Sequence, residues 1–157
     1  MIRRDFLAVS ASGGIALIAG CTSNNLNSSP AMPEADTPPE ELLPDPLDGW
    51  ERTNTREIGG GFGPETGIET GQAGTYTPDG DVGYELGVYR FESESATTEI
   101  ASEIEEQGEL YNFIYAVQRG NFIIGGSHSG GTDQNLKSLL ANSSVLTEQY
   151  LTENNLL

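Results

Sequence analysis

This chain of 157 residues carries one thiol, Cys21, and one imidazole, His128. Each could do chemistry. His128 lies in Ser127-His128-Ser129-Gly130-Gly131, after an apolar run and before a helical pattern. That is where the nucleophile elbow of a hydrolase sits, with the pattern Gly-x-Ser-x-Gly. Here Ser127 takes the first Gly position, and the sole histidine adjoins the candidate nucleophile Ser129. Side chains of adjacent residues diverge, so the base cannot reach the hydroxyl. The pattern argues against a serine hydrolase and predicts a Gly/Ser loop with an exposed His128. A second candidate is the glycine-rich stretch 59–74, with seven glycines in 16 residues. A phosphate-cradling loop needs a helix N-terminus after it, and a Walker-type loop also a Lys. Lys137 is the only lysine, and Glu65 and Glu69 would repel phosphate. Asp79 and Asp81 around Gly80 offer oxygens to Ca²⁺, but the twelfth position of an EF-hand counted from Asp79 is Arg90 rather than Glu. No catalytic residue, metal site or cofactor is therefore assigned.

Cys21 has a clearer context. Arg3 and Arg4 precede Asp5-Phe6-Leu7, the apolar stretch 6–20 follows, and Ile18-Ala19-Gly20 leads into Cys21. A charged start, an apolar run and small residues before a processing point describe an export signal. The run has 15 residues, whereas a spanning helix needs roughly 20. Arg3, Arg4, Phe6 and Leu7 resemble the twin-arginine export motif. Ile18, Ala19 and Gly20 before Cys21 resemble a lipobox. The resemblance covers residues 3–7 and 18–21 only, but both motifs stand in register around one apolar run. It implies export by the twin-arginine pathway, removal of residues 1–20 and lipid attachment at Cys21. A thiolate is the nucleophile suited to forming the thioether. Two lipid chains hold a protein far better than one, at about 0.8 kcal/mol per buried CH₂. The expected address is the outer face of the cytoplasmic membrane.

Charge says what solvent the chain meets. Asp and Glu number 24 against 7 Lys and Arg, a formal net charge of −17. Proteins that hold nucleic acid by its phosphates need clustered cations, so that class is excluded. Loss of residues 1–20 would leave 5 basic residues against 23 acidic ones. Glu94, Glu99, Glu103, Glu105 and Glu106 crowd one helical stretch without a cation among them. Like charges at i,i+4 cost a few tenths of a kcal/mol unless salt screens them. Acid-rich, Lys-poor surfaces with much Gly, Thr and Ser are similar to those of haloarchaeal proteins. With the signal, this chain resembles a twin-arginine-exported haloarchaeal lipoprotein.

Residues 21–48 read as an acidic tether, Ser/Asn-rich at first and then holding six of the eight prolines. Such a composition buries too little to offset its ordering entropy. Asn27 and Asn142 each head a glycosylation sequon. Residues 49–157 read as one α+β domain. The pattern predicts a polar edge strand over 50–58, a glycine-rich loop over 59–73, and a short strand from 75 to the turn Pro78-Asp79-Gly80. Over 82–91, Val82, Tyr84, Leu86 and Val88 point one way. A helix over 93–107, capped by Ser93 or Ser95, carries Ala96, Ile100 and Ile104. A central strand over 110–118, a turn at Gly120-Asn121 and a strand over 122–126 follow. Thr132 or Asp133 caps a helix with Leu136, Leu139 and Leu140, and a short last helix holds Val145, Leu146, Tyr150 and Leu151. The order β-β-β-α-β-β-α implies an antiparallel sheet of about five strands with helices on one face. In element order alone it is similar to domains of the PsbP and Mog1 type, a likeness that carries no functional residue across.

The expected function is that of a noncatalytic binding or accessory domain. Its partners would be the membrane, through Cys21, and a protein or small ligand, with Tyr76, Tyr84, Tyr89 and Tyr111 as candidate contacts if exposed, although most of them read as core. The alternative is an extracytoplasmic hydrolase built on a carboxylate pair, for which no telling spacing is present.

Overall fold

A computed structural model describes residues 30–60, 64–78, 82–107 and 113–153. Arg3, Arg4, Phe6, Leu7, Ile18, Ala19, Gly20, Cys21, Asn27, Asp79, Asp81 and Tyr111 lie outside the described residues. No helix among the described residues is long and apolar enough to cross a membrane.

The centre is a five-stranded antiparallel sheet of order β1-β2-β3-β5-β4, made of β1 (Glu51–Ile58), β2 (Ile68–Thr77), β3 (Gly83–Phe91), β4 (Tyr115–Arg119) and β5 (Phe122–Ser129). The helices are α1 (Glu94–Gln107), α2 (Asp133–Ala141) and α3 (Glu148–Glu153). A two-residue pair, β6 (Asn142–Ser143) with β7 (Leu146–Thr147), joins α2 to α3. The α+β class, five antiparallel strands and element order agree with the expectation.

The helices do not share one face. In β3, Tyr84, Leu86 and Val88 join Leu136, Leu139 and Leu140 of α2 and Tyr150 and Leu151 of α3 in one buried cluster. The intervening Tyr89 and Phe91 join Ile100, Ala101 and Ile104 of α1 in a second cluster on the opposite face. The alternation continues through β5, where Ile124 belongs to the first cluster and Ile123 to the second. Strands buried on both faces read as continuous apolar runs, and the run Phe122-Ile123-Ile124 is one. The molecule is thus helix, sheet, helix.

Local signals set the helix starts. Ser93 Oγ accepts from Ala96 N at 3.1 Å, and Thr132 Oγ1 accepts from Asn135 N at 3.2 Å, each satisfying an otherwise orphaned donor. The expected loop over 59–73 gives way to strand from Ile68 on. Gly71 sits inside it because β1 and β3 press close: a Cβ there would stand 2.9 Å from both Ile58 Cγ1 and the Val88 carbonyl oxygen. The expected strand over 110–118 starts at Tyr115, because Phe113 turns onto the sheet instead. Its ring fills the space left by the glycines paired across β3 and β5, Gly87 and Gly125. Val145 and Leu146, expected in a last helix, form the β6–β7 turn and the start of β7.

The largest departure is in residues 30–48. They do not hang free as a tether. Leu42 and Leu43 are buried in the α2/α3 cluster, and Pro39–Leu42 forms a single 3₁₀ turn. Domain side chains hold the segment by its carbonyls. Arg119 Nη2 donates to Pro30 O at 2.7 Å, Asn121 Nδ2 to Ala35 O at 2.9 Å and Arg90 Nη1 to Asp36 O at 3.1 Å. Further on, Ser143 Oγ donates to Leu42 O at 3.2 Å, Tyr76 Oη to Pro44 O at 2.7 Å and Asn142 Nδ2 to Asp45 O at 2.8 Å. The segment therefore starts beside the β4–β5 turn and crosses the sheet to the opposite end, where β1 begins. Prolines lower the entropy the segment loses on ordering, and the donors that hold it come from distant parts of the chain, which its composition does not reveal. A few donors and two leucines suffice to order it.

Candidate functional site

The end of the sheet away from the β4–β5 turn carries a cleft of about 330 Å³. Thr75 of β2, Gly83, Tyr84 and Glu85 of β3 and Ser127, His128 and Ser129 of β5 line it. His128 is not in a loop. It pairs with Tyr84 across β3 and β5, and its side chain is 16% exposed. The strand extends past the expected Gly126 because β3 offers partners as far as Gly83.

The α2 N-terminus packs against this end. Tyr84 Oη accepts from Thr132 N at 3.0 Å and from Asn135 Nδ2 at 3.3 Å, tying the helix start to β3. His128 Nε2 stands 2.9 Å from Asp133 Oδ1, and Tyr115 Oη donates to Asp133 Oδ2 at 3.0 Å. Asp133 thus takes a hydrogen bond on each oxygen. First the contact with His128, then that with Tyr115, holds its carboxyl below the usual range. Burial, then the bond to Asp133, pushes the Tyr115 phenol up. Trp50, the only tryptophan, packs on Tyr84 at 4.7 Å between ring centroids, and Tyr84 lies 5.7 Å from His128.

The chemistry open to this arrangement follows from where the second imidazole nitrogen goes. His128 Nδ1 is buried, with no hydrogen-bond partner among the described residues. A nucleophile–base pair needs that nitrogen on a hydroxyl. Ser127 and Ser129 flank His128 in a strand, so their side chains point to the other face. Glu85 is paired with Arg56 at 2.7 Å. Among the described residues, no three His, Cys, Asp or Glu side chains converge as a metal site would require. The cleft is a polar concavity whose side chains Thr75, Glu85 and Ser127 form one cross-strand row, on the sheet face opposite the His128 ring, with Glu85 held by Arg56.

Tyr76 and Tyr84 are 0% and 1% exposed and Tyr89 is 6% exposed, so these three are core rather than contacts. Asn142, the described sequon residue, is exposed but spends its amide on Asp45 O and Pro46 O. In the sequence Asp133 reads only as a helix cap, and its pairing with His128 at i,i+5 across a strand-to-helix turn has no sequence signature. Compared with known proteins, the chain matches no family model, no curated protein and no solved structure.

Proposed function

We propose that the chain is a lipid-anchored extracytoplasmic accessory domain, adapted to high salt, that binds a polar ligand or partner segment in the cleft beside His128. The observation that supports binding over reaction is the state of the imidazole: Nε2 is committed to Asp133 and Nδ1 is buried. Recognition falls to the cleft's own side chains, Thr75, Glu85 and Ser127, of which Glu85 is held by Arg56 and has less freedom to lose on binding. Anchoring rests on Arg3-Arg4-Asp5-Phe6-Leu7 and on Ile18-Ala19-Gly20-Cys21. High-salt adaptation rests on surfaces such as α1, where Glu94, Glu99, Glu103 and Glu106 are all exposed. The described ion pairs of Arg lie elsewhere, at Arg56–Glu85 and Arg90–Glu69.

Three measurements test the three parts. Cys21→Ser releases the protein from membranes or leaves it unprocessed, and a variant that sediments with membranes at processed size refutes the lipid reading. Ser127→Trp fills the cleft and abolishes recovery of a stoichiometric partner crosslinked in intact membranes. Recovery unchanged by it refutes the cleft as the binding site. The melting temperature rises with KCl from 0.1 M to 3 M as screening length falls to a few Å, and a constant value refutes high-salt adaptation.

A further inference from the structure

We infer that the β4–β5 turn end of the domain faces the membrane and the cleft faces away from it. The cleft would then meet a soluble or wall-borne partner and not a lipid. This rests on the reading that residues 1–21 attach the chain to a membrane. It does not depend on whether the lipid on Cys21 or the apolar run 6–20 makes the attachment.

Chain reach sets the orientation. A free tether ending at residue 48 would let the domain tumble in any orientation, because a flexible chain of that length spans roughly 30 Å on average and more when extended. The clamp moves the effective exit point to Pro30. There Arg119 holds two successive carbonyls, of Pro30 and Ala31, at 2.7 and 3.3 Å. The Arg119 side chain is fixed in turn, 6% exposed and stacked 4.4 Å from the Tyr150 ring centroid. Asn121 and Arg90 hold two further carbonyls, of Ala35 and Asp36, at the same end of the sheet. A flexible chain of nine residue steps, the number from Cys21 to Pro30, spans roughly 16 Å on average and roughly 30 Å at full stretch. The cleft residues Ser127–Ser129 lie at the other end of β5 from Phe122. Six residues of strand separate Phe122 from His128, roughly 20 Å. With the turn end held within that reach and the cleft up to roughly 20 Å farther along the strand, the turn end lies nearer the membrane on average.

The chain supplies its own reporter. Trp50 is its only tryptophan and packs on Tyr84 at the cleft end. Met32 is 48% exposed at the turn end, with its sulfur 3.6 Å from where a Cβ on Gly120 would stand. The experiment measures energy transfer from tryptophan to dansyl headgroups in phosphatidylcholine vesicles carrying the full-length, membrane-bound protein. The wild type is compared with Met32→Trp in a Trp50→Phe background. Transfer from position 32 is expected to exceed that from Trp50 about threefold or more, given the roughly 20 Å between them. Equal transfer, or more from Trp50, overturns the inference. Should Met32→Trp fail to fold, Glu34→Trp at an exposed position of the same clamp serves. Failure of the underlying reading looks different: a wild-type chain that does not sediment with membranes overturns both. A bound chain with the wrong order of transfer overturns this inference alone.

Discussion

Leu42→Ala separates a strap that belongs to the fold from a tether that merely precedes it. Leu42 is 4% exposed and sits in the cluster with Tyr76, Tyr84, Leu136 and Leu139, and its neighbour Leu43 is 6% exposed. Truncating a buried leucine removes its transfer free energy and leaves a cavity, together about 2–5 kcal/mol. Leu42 lies where a surface segment meets the core, so the site can partly collapse, which argues for the lower half, about 2–3 kcal/mol. For a domain of this size that lowers the melting temperature by about 6–12 °C. Urea unfolding at fixed high salt, followed by circular dichroism, reads the change as a lower midpoint. Glu40→Ala, on the exposed side of the same 3₁₀ turn, is the control and shifts stability by less than about 0.5 kcal/mol. A Leu42→Ala protein as stable as its Glu40→Ala counterpart refutes the strap.

Gly125→Ala places a methyl group against the Phe113 ring and destabilises the domain by about 1–3 kcal/mol. In a Phe113→Ala background the same substitution costs less, and strictly additive effects in the double-mutant cycle would disprove the ring–glycine contact. Asp133 has a lowered carboxyl pKa in the fold, so its contribution is complete above the ordinary carboxylate value and lost as pH falls through the lower folded one. Asp133→Asn therefore flattens the acid limb of stability against pH, and an unchanged limb contradicts the His128–Asp133–Tyr115 arrangement. Burial pushes the Tyr89 phenol up to about 12. Its contribution is full below the unfolded value of about 10 and is lost as pH rises towards 12. Ultraviolet titration of phenolate finds one late-titrating group removed by Tyr89→Phe, and an identical curve contradicts it.

Two apolar periods find β3 and α1 in the sequence. Alternation over Tyr84, Leu86 and Val88, and the four-residue spacing of Ala96, Ile100 and Ile104, carry the strand and helix pattern locally. Caps at Ser93 and Thr132 are legible for the same reason: both bond within three residues. Glycine-rich stretches are not legible in this way. Gly71 and Gly125 are there for close neighbours far away in sequence, and no local rule distinguishes those from turns. His128 reads as a loop residue, since only its strand partner Tyr84 gives it a ladder.

By itself the sequence determined the acidic excess, the single thiol behind an apolar run, the element order and the α+β class. These depend on composition and on residues near one another in the chain. Only the tertiary structure decided that helices cover both faces, that residues 30–46 are strapped along the sheet, and that His128, Asp133 and Tyr115 meet. Each of those follows from contacts between distant segments, such as Arg119 with Pro30 or Ser143 with Leu42. Those contacts form only after the sheet has brought their donors into place.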